Sequence, residues 1–222
     1  MANKPKSILS DRQRNLLGLF ASNPSIKKHF YLSGGTALAE YYLHHRYSED
    51  LDFFTEEEVA PLSIQVFIKD IAKKAGVKNV DFQQSFNRNL VFLHFDDEII
   101  KTEFTYYPFT QLEPTKEING LQVDSLIDIA VNKTFTIYQK PRSRDFIDIY
   151  LIMREKGWSF SDLRKKARIK FDTHIESLQM AQQLLEVDHL EDFPRMIGKL
   201  DNKEWQDFWK NEVAKIKSEV LI

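Results

Sequence analysis

A chain of 222 residues, 42% hydrophobic and 29% charged, has the composition of a globular protein long enough to bury a core. Its formal net charge of −2 excludes a passive nucleic-acid binder that is basic overall. The lack of cysteine excludes disulfides, thiolate catalysis and cysteine zinc sites, and fits a cytoplasmic protein.

No stretch approaches the ~20 apolar residues that cross a bilayer, and the polar segment 1–15 lacks the apolar region of a signal peptide. Ser10 and Asp11 open an amphipathic helix with Leu16, Leu17, Leu19 and Phe20 on its apolar side. Phe30-Tyr31-Leu32 is a short apolar run that ends in the turn signal Ser33-Gly34-Gly35. Residues 36–45 predict a helix, 50–55 a short strand, and 61–75 a helix with Pro61 in its first turn and Gly76 past its end. The runs 78–85, 89–95 and 98–107, punctuated by Asn87 and Asp96-Asp97, predict the hairpins of a mixed or antiparallel sheet. Beyond Gly120 the pattern turns helical, over 124–140, 144–156, 161–170, 173–187 and 201–219, with Asp201 and Glu204 spaced for a capping box. The fold class is therefore α+β. An α/β domain over 1–120 carries a mixed sheet flanked by helices, and a helical domain over 121–222 follows it.

The chemistry concentrates in 32–54, LSGGTALAEYYLHHRYSEDLDFF. In a strand, residues i and i+2 share a face, so Asp50 and Asp52 project together while Leu51 and Phe53 turn to the core. Two adjacent carboxylates repel each other, and a hard divalent cation relieves that repulsion. Gly34 and Gly35 let the backbone come close to a ligand, and a helix opening near Thr36 offers N–H groups to phosphate. Arg46, just ahead of the strand, could bind phosphate or fix the loop. A lone Gly-Gly is usually a turn and a lone Asp-x-Asp usually a surface feature. The two joined by a helix, with apolar residues flanking the carboxylates, point to a metal–nucleotide site.

GGTALAEYYLHHRYSEDLDFF resembles the signature of the AbiEii/AbiGii-type nucleotidyltransferases, a branch of the polymerase-β-like superfamily. DSLIDIAVNKTFTIYQKPRSRDFIDIYLI is similar to the second signature of that family, a lysine helix followed by an Arg-Asp-x-x-Asp helix. The resemblance implies a polymerase-β-like first domain and a helical domain that completes the active-site cleft. It assigns Gly34, Gly35 and Thr36 to the triphosphate, with Ser48 on the side of Asp50, and Asp50 and Asp52 to magnesium. It assigns Lys133 to the phosphates, and Asp145 or Asp148 to the acceptor or to organising Lys133. Lys133 lies in an apolar helix, where a buried ammonium needs an anion. The superfamily places a third carboxylate on a neighbouring strand, and the candidate is Glu103, on one face with Lys101 and Thr105. An exposed glutamate paired with Lys101 or a cross-strand neighbour is the alternative.

The function implied is magnesium-dependent transfer of a nucleotide from an NTP to an acceptor hydroxyl, with manganese as an alternative ion. The acceptor expected is an RNA (tRNA) 3′ end, the setting a type IV toxin–antitoxin or abortive-infection system with a cognate antitoxin as partner and no membrane. Alternatives are nucleotidylation of a protein hydroxyl, as in AMPylation, and NTP binding without turnover by an interaction module. The basic stretch Arg164, Lys165, Lys166, Arg168 and Lys170 could follow an RNA backbone, or be a solvated helix face. Trp205, Phe208 and Trp209, at helical spacing, are expected to pack inward.

Overall fold

The computed structural model describes the backbone of residues 7–220 and the side chains of 7–217. The first six residues of the polar segment 1–15 lie outside that range. The chain forms two compact units, Met1–Leu126 and Ile127–Ile222.

The first unit runs α1 (Asp11–Ala21), α2 (Pro24–His29), β1 (Tyr31–Ser33), α3 (Gly34–Leu38), β2 (Leu51–Thr55), α4 (Pro61–Ala75), β3 (Asn79–Ser85), β4 (Arg88–His94), β5 (Ile99–Tyr106), β6 (Lys116–Ile118) and β7 (Leu121–Val123). A seven-stranded sheet has the order β3-β4-β5-β2-β1-β7-β6. It is mixed: β2 runs parallel to β5 and β1 parallel to β7, and the other pairs are antiparallel. The alternation in β2 explains its placement in the middle. Leu51 and Phe53 are fully buried, whereas Asp52 and Phe54 on the other face are partly exposed. Phe53 stacks on Phe104 of β5 at 5.4 Å between ring centres, Phe20 of α1 meets Phe53 edge-on at 5.1 Å, and Phe67 of α4 meets Phe104 edge-on at 5.2 Å. This aromatic cluster seals one face of the central strands. The carboxylates are left on the other.

Several elements differ from their sequence expectation. The helix expected over 36–45 starts at Gly34 and changes at Ala39 into a π-helical turn, Ala39–Leu43, closed by His44 in the left-handed region. The strand expected from Asp50 begins at Leu51, so Asp50 stands just before it. A six-residue α2, capped by the Asn23 side chain and started by Pro24, is too short to show a period. The hairpin β6–β7 was hidden because its strands have three residues each; Asn119 and Gly120, both at positive φ, make its turn.

The second unit is helical: α5 (Leu126–Gln139), α6 (Ser143–Lys156), α7 (Phe160–Lys170), α8 (Ser177–Leu185), a 3-10 turn (Glu186–Asp188) and α9 (Asn202–Val220). Trp205 and Trp209 are fully buried, Trp209 donates from its indole nitrogen to the Phe146 carbonyl (3.1 Å), and its ring meets Phe160 at 4.9 Å. The capping box expected at α9 does not form. Asp201 accepts from the Lys203 N–H, but the Glu204 carboxylate turns to Tyr150 and Arg154. The basic stretch is not one solvated face either. Leu163, Arg164, Ala167 and Lys170 form the buried stripe of α7, and Lys170 pairs with Asp128 at 2.6 Å, both side chains fully enclosed. Lys165, Lys166 and Arg168 stay exposed. Among the described residues, no helix is long and apolar enough to cross a membrane.

Candidate active site

β1 delivers the chain into the Gly34-Gly35 turn, and each glycine leaves room for a particular side chain. Gly34 has φ +69°, a conformation that L side chains rarely adopt, and a Cβ there would lie 2.5 Å from the Asp52 Oδ2. A Cβ on Gly35 would lie 2.6 Å from the Arg46 guanidinium and 3.0 Å from the Ser48 hydroxyl. The turn thus gathers Arg46, Ser48 and Asp52 around two missing side chains. Thr36 is fully buried and donates its hydroxyl to the Asp50 carbonyl, which ties α3 to the start of β2. Arg46 is buried and donates to the Tyr47 carbonyl at 3.0 Å.

The parallel pairing of β2 with β5 sets Asp52 directly opposite Glu103. Lys101, two residues before Glu103 on the same face, donates to Asp50 at 3.1 Å and stands 3.7 Å from Glu103. Glu103 is held from β4. Arg88 donates Nε to Oε1 (2.6 Å) and Nη2 to Oε2 (2.5 Å), and the Thr105 hydroxyl adds a bond to Oε1 at 2.7 Å. Burial pushes the Glu103 carboxyl up, yet the hydrogen bonds from Arg88 and Thr105 outweigh it and hold the group below the ordinary carboxylate value. The hydrogen bond to Glu103 holds the Arg88 guanidinium above its ordinary value, and the charges of Asp52 and Asp50 add to this.

Asp50 and Asp52 offer hard oxygen donors on a partly exposed face, which suits a divalent ion. Among the described residues, no group of three or more His, Cys, Asp or Glu side chains is disposed to hold a metal. A pair is nonetheless a sufficient protein contribution for magnesium, which is commonly held by one or two carboxylates and completes its shell with substrate phosphates and water.

In the second unit, Lys133 of α5 is buried and meets Asp145 Oδ1 and Asp148 Oδ2 of α6, each at 2.8 Å. Asp145 also accepts from Arg142 Nε at 3.0 Å. The i, i+3 spacing puts both carboxylates on one face of α6, so a single ammonium reaches both. The Lys133 ammonium thus bridges the two aspartates.

Three positioning residues, Gln13, Asp124 and Arg88, carry no signal in the local sequence, whereas Lys101 is anticipated as a neighbour of Glu103. Gln13 caps α1 with Ser10 and donates to the carbonyls of Ser48 and Glu49 (3.1 and 3.0 Å), which steadies the loop before Asp50. Asp124, fully buried after β7, accepts from Ser33 at 2.6 Å and fixes the end of β1 that leads into Gly34. Arg88 and Lys101 are the cations that balance the acidic row. A run of hydrophobic residues signals none of Gln13, Asp124 and Arg88, because each is defined by a partner distant in sequence.

The family model described as nucleotidyl transferase AbiEii toxin, Type IV TA system, matches residues 17–219. An uncharacterized protein of Aquifex aeolicus (strain VF5) is 34% identical over 144 residues, covering 64% of this chain and 66% of that relative. The chain thus aligns with just under two thirds of the relative's length. Among solved structures, a protein from H. pylori described as a nucleotidyltransferase superposes with a TM-score of 0.62 at 17% identity, over 95% of this chain and 97% of its own. JHP933 from Helicobacter pylori gives 0.59 at 16%, over 94% and 90%. The nucleotidyltransferase toxin MenT4 of Mycobacterium tuberculosis H37Rv gives 0.50 at 14%, over 92% and 81%. These structures share the fold, a mixed sheet with helices followed by a helical C-terminal part. With its family model matched over nearly its whole length, the chain belongs to the AbiEii nucleotidyl transferase toxin family of type IV toxin–antitoxin systems, a family of enzymes.

Proposed function

We propose that this chain is a magnesium-dependent nucleotidyltransferase that moves a nucleotide from an NTP to the 3′ hydroxyl of an RNA, tRNA being the preferred class. The observation that carries the reading is the Gly34–Asp52 contact, in which a turn suited to phosphate is built against a carboxylate suited to metal. Asp50 and Asp52 hold the ion, and manganese can replace magnesium there because it too accepts oxygen ligands. The bound ion supplies Lewis acidity and neutralises charge on the phosphates. Gly34, Gly35 and Thr36 cradle the triphosphate, with Arg46 and Ser48 behind them. Lys133, kept in place by Asp145 and Asp148, is assigned to phosphate binding on the strength of the family resemblance. The acceptor oxygen attacks the α-phosphorus, the bond from that phosphorus to the bridging oxygen breaks, and pyrophosphate leaves as the hydroxyl proton passes to water. Positioning and charge neutralisation supply most of the acceleration in chemistry of this kind.

The RNA acceptor is supported by the family and by the exposed cations Lys165, Lys166 and Arg168. The family also supports a cognate antitoxin as partner, and the cytoplasm is where NTP, RNA and such a partner meet. Incubation with each α-labelled NTP, magnesium and total RNA or cell lysate tests the reading. Label in RNA is the expected outcome. Label in protein would replace RNA with a protein hydroxyl as acceptor. NTP binding with no labelled acceptor would overturn the catalytic proposal.

A further inference from the structure

We infer that Glu103 serves Arg88 rather than the metal, and that Arg88, so held, is a phosphate-binding residue of the nucleotide site. This rests on the function proposed above. The Glu103 side chain is only 8% exposed and the Arg88 side chain 49%, so the carboxylate is the inner, fixed member of the pair and the guanidinium the outer one. Oε1 already accepts from Arg88 and Thr105, and Oε2 accepts from Arg88 with the Lys101 ammonium 3.7 Å away. A carboxylate engaged in this way has little left to offer a cation. The guanidinium has more to give. Glu103 takes Nε and one Nη2 hydrogen, which leaves three of the five donors without a hydrogen bond among the described residues. Those donors form the half-exposed edge of a planar fork, a geometry that matches phosphate oxygens.

Register places this fork at the site. Glu103 lies opposite Asp52, and Arg88 is two residues from the β4 position opposite Glu103. The charges of Asp52 and Asp50 reach the guanidinium. An arginine kept beside two metal-binding carboxylates suits a ligand that brings both a cation and phosphates. Its anchoring glutamate prevents it from collapsing onto Asp50 and Asp52.

Two titrations of the full chain separate the roles: Mn2+ alone, followed by electron paramagnetic resonance, and inorganic triphosphate with magnesium, followed by calorimetry. Arg88→Ala is expected to weaken triphosphate binding about tenfold or more while Mn2+ binding is unchanged or tighter. Arg88→Lys keeps a charge without the fork and is expected to recover part of that loss. Glu103→Gln is expected to weaken triphosphate binding several-fold and to leave Mn2+ binding much stronger than in Asp52→Asn. Circular dichroism of each variant reports whether the fold is kept. Triphosphate affinity in Arg88→Ala within twofold of wild type, or loss of Mn2+ in Glu103→Gln equal to that in Asp52→Asn, would overturn the inference alone. A wild-type chain that binds neither probe would overturn the proposed function with it.

Discussion

Gly34 shows how one position can serve backbone and chemistry together. Its φ of +69° costs an alanine about 1–2 kcal/mol in the left-handed region. The added Cβ would also press on Asp52 Oδ2 at 2.5 Å, against a side chain with little freedom on a central strand. Gly34→Ala should therefore lower stability in urea unfolding by at least about 1–2 kcal/mol and weaken Mn2+ binding together with it. Loss of stability with unchanged Mn2+ affinity would mean that the turn does not shape the carboxylate pair. Glu103 makes a second residue-scale prediction. Its folded-state value is depressed, so its contribution is fully present above the ordinary carboxylate value of 4.5 and is lost as pH falls through the lower folded value. Glu103→Gln should flatten the acid limb of the stability–pH curve below that value and leave the neutral limb with the same slope. An acid limb of unchanged steepness would contradict the assignment.

The pair α5–α6 is held by an ion cluster that the hydrophobic core surrounds. Removing the ammonium in Lys133→Ala would leave Asp145 and Asp148 buried against each other. A broken buried pair of this kind costs about 3–5 kcal/mol, to be measured by urea denaturation. Stability equal to wild type would show that the cluster is no structural anchor. Local spacing signals only the parts, an Asp-x-x-Asp on one helix and a lysine in an otherwise apolar helix that calls for an anion; that the two belong together is implied by the family resemblance. The candidate-site residues Gly34, Gly35, Asp50 and Asp52 lie within nineteen residues, and turn chemistry and alternate spacing mark them as candidates in the sequence. What could not be read depends on long-range register. Arg88 looks like the start of an ordinary hairpin strand until β4 is aligned with β5 and brings it onto Glu103. Gln13 reaches a loop 35 residues away. Lys170 and Arg164 looked like part of a basic face, but the stripe through Leu163 and Ala167 carries them inward, and Asp128 compensates Lys170.

At the scale of the whole molecule, the sheet unit carries a glycine turn, two carboxylates and two balancing cations, and the helical unit carries Lys133 with its two aspartates. Membership in a toxin family predicts that the chain, expressed without a partner in a bacterium, slows growth, and that an Asp52 variant does not. The central claim is that Asp50 and Asp52 carry nucleotidyl transfer, and the most direct test is incorporation of α-labelled NTP into an acceptor by wild type and by Asp52→Ala in parallel. The prediction is magnesium-dependent labelling by the wild type and none above background by a folded Asp52→Ala chain. Equal labelling by the two proteins would contradict it.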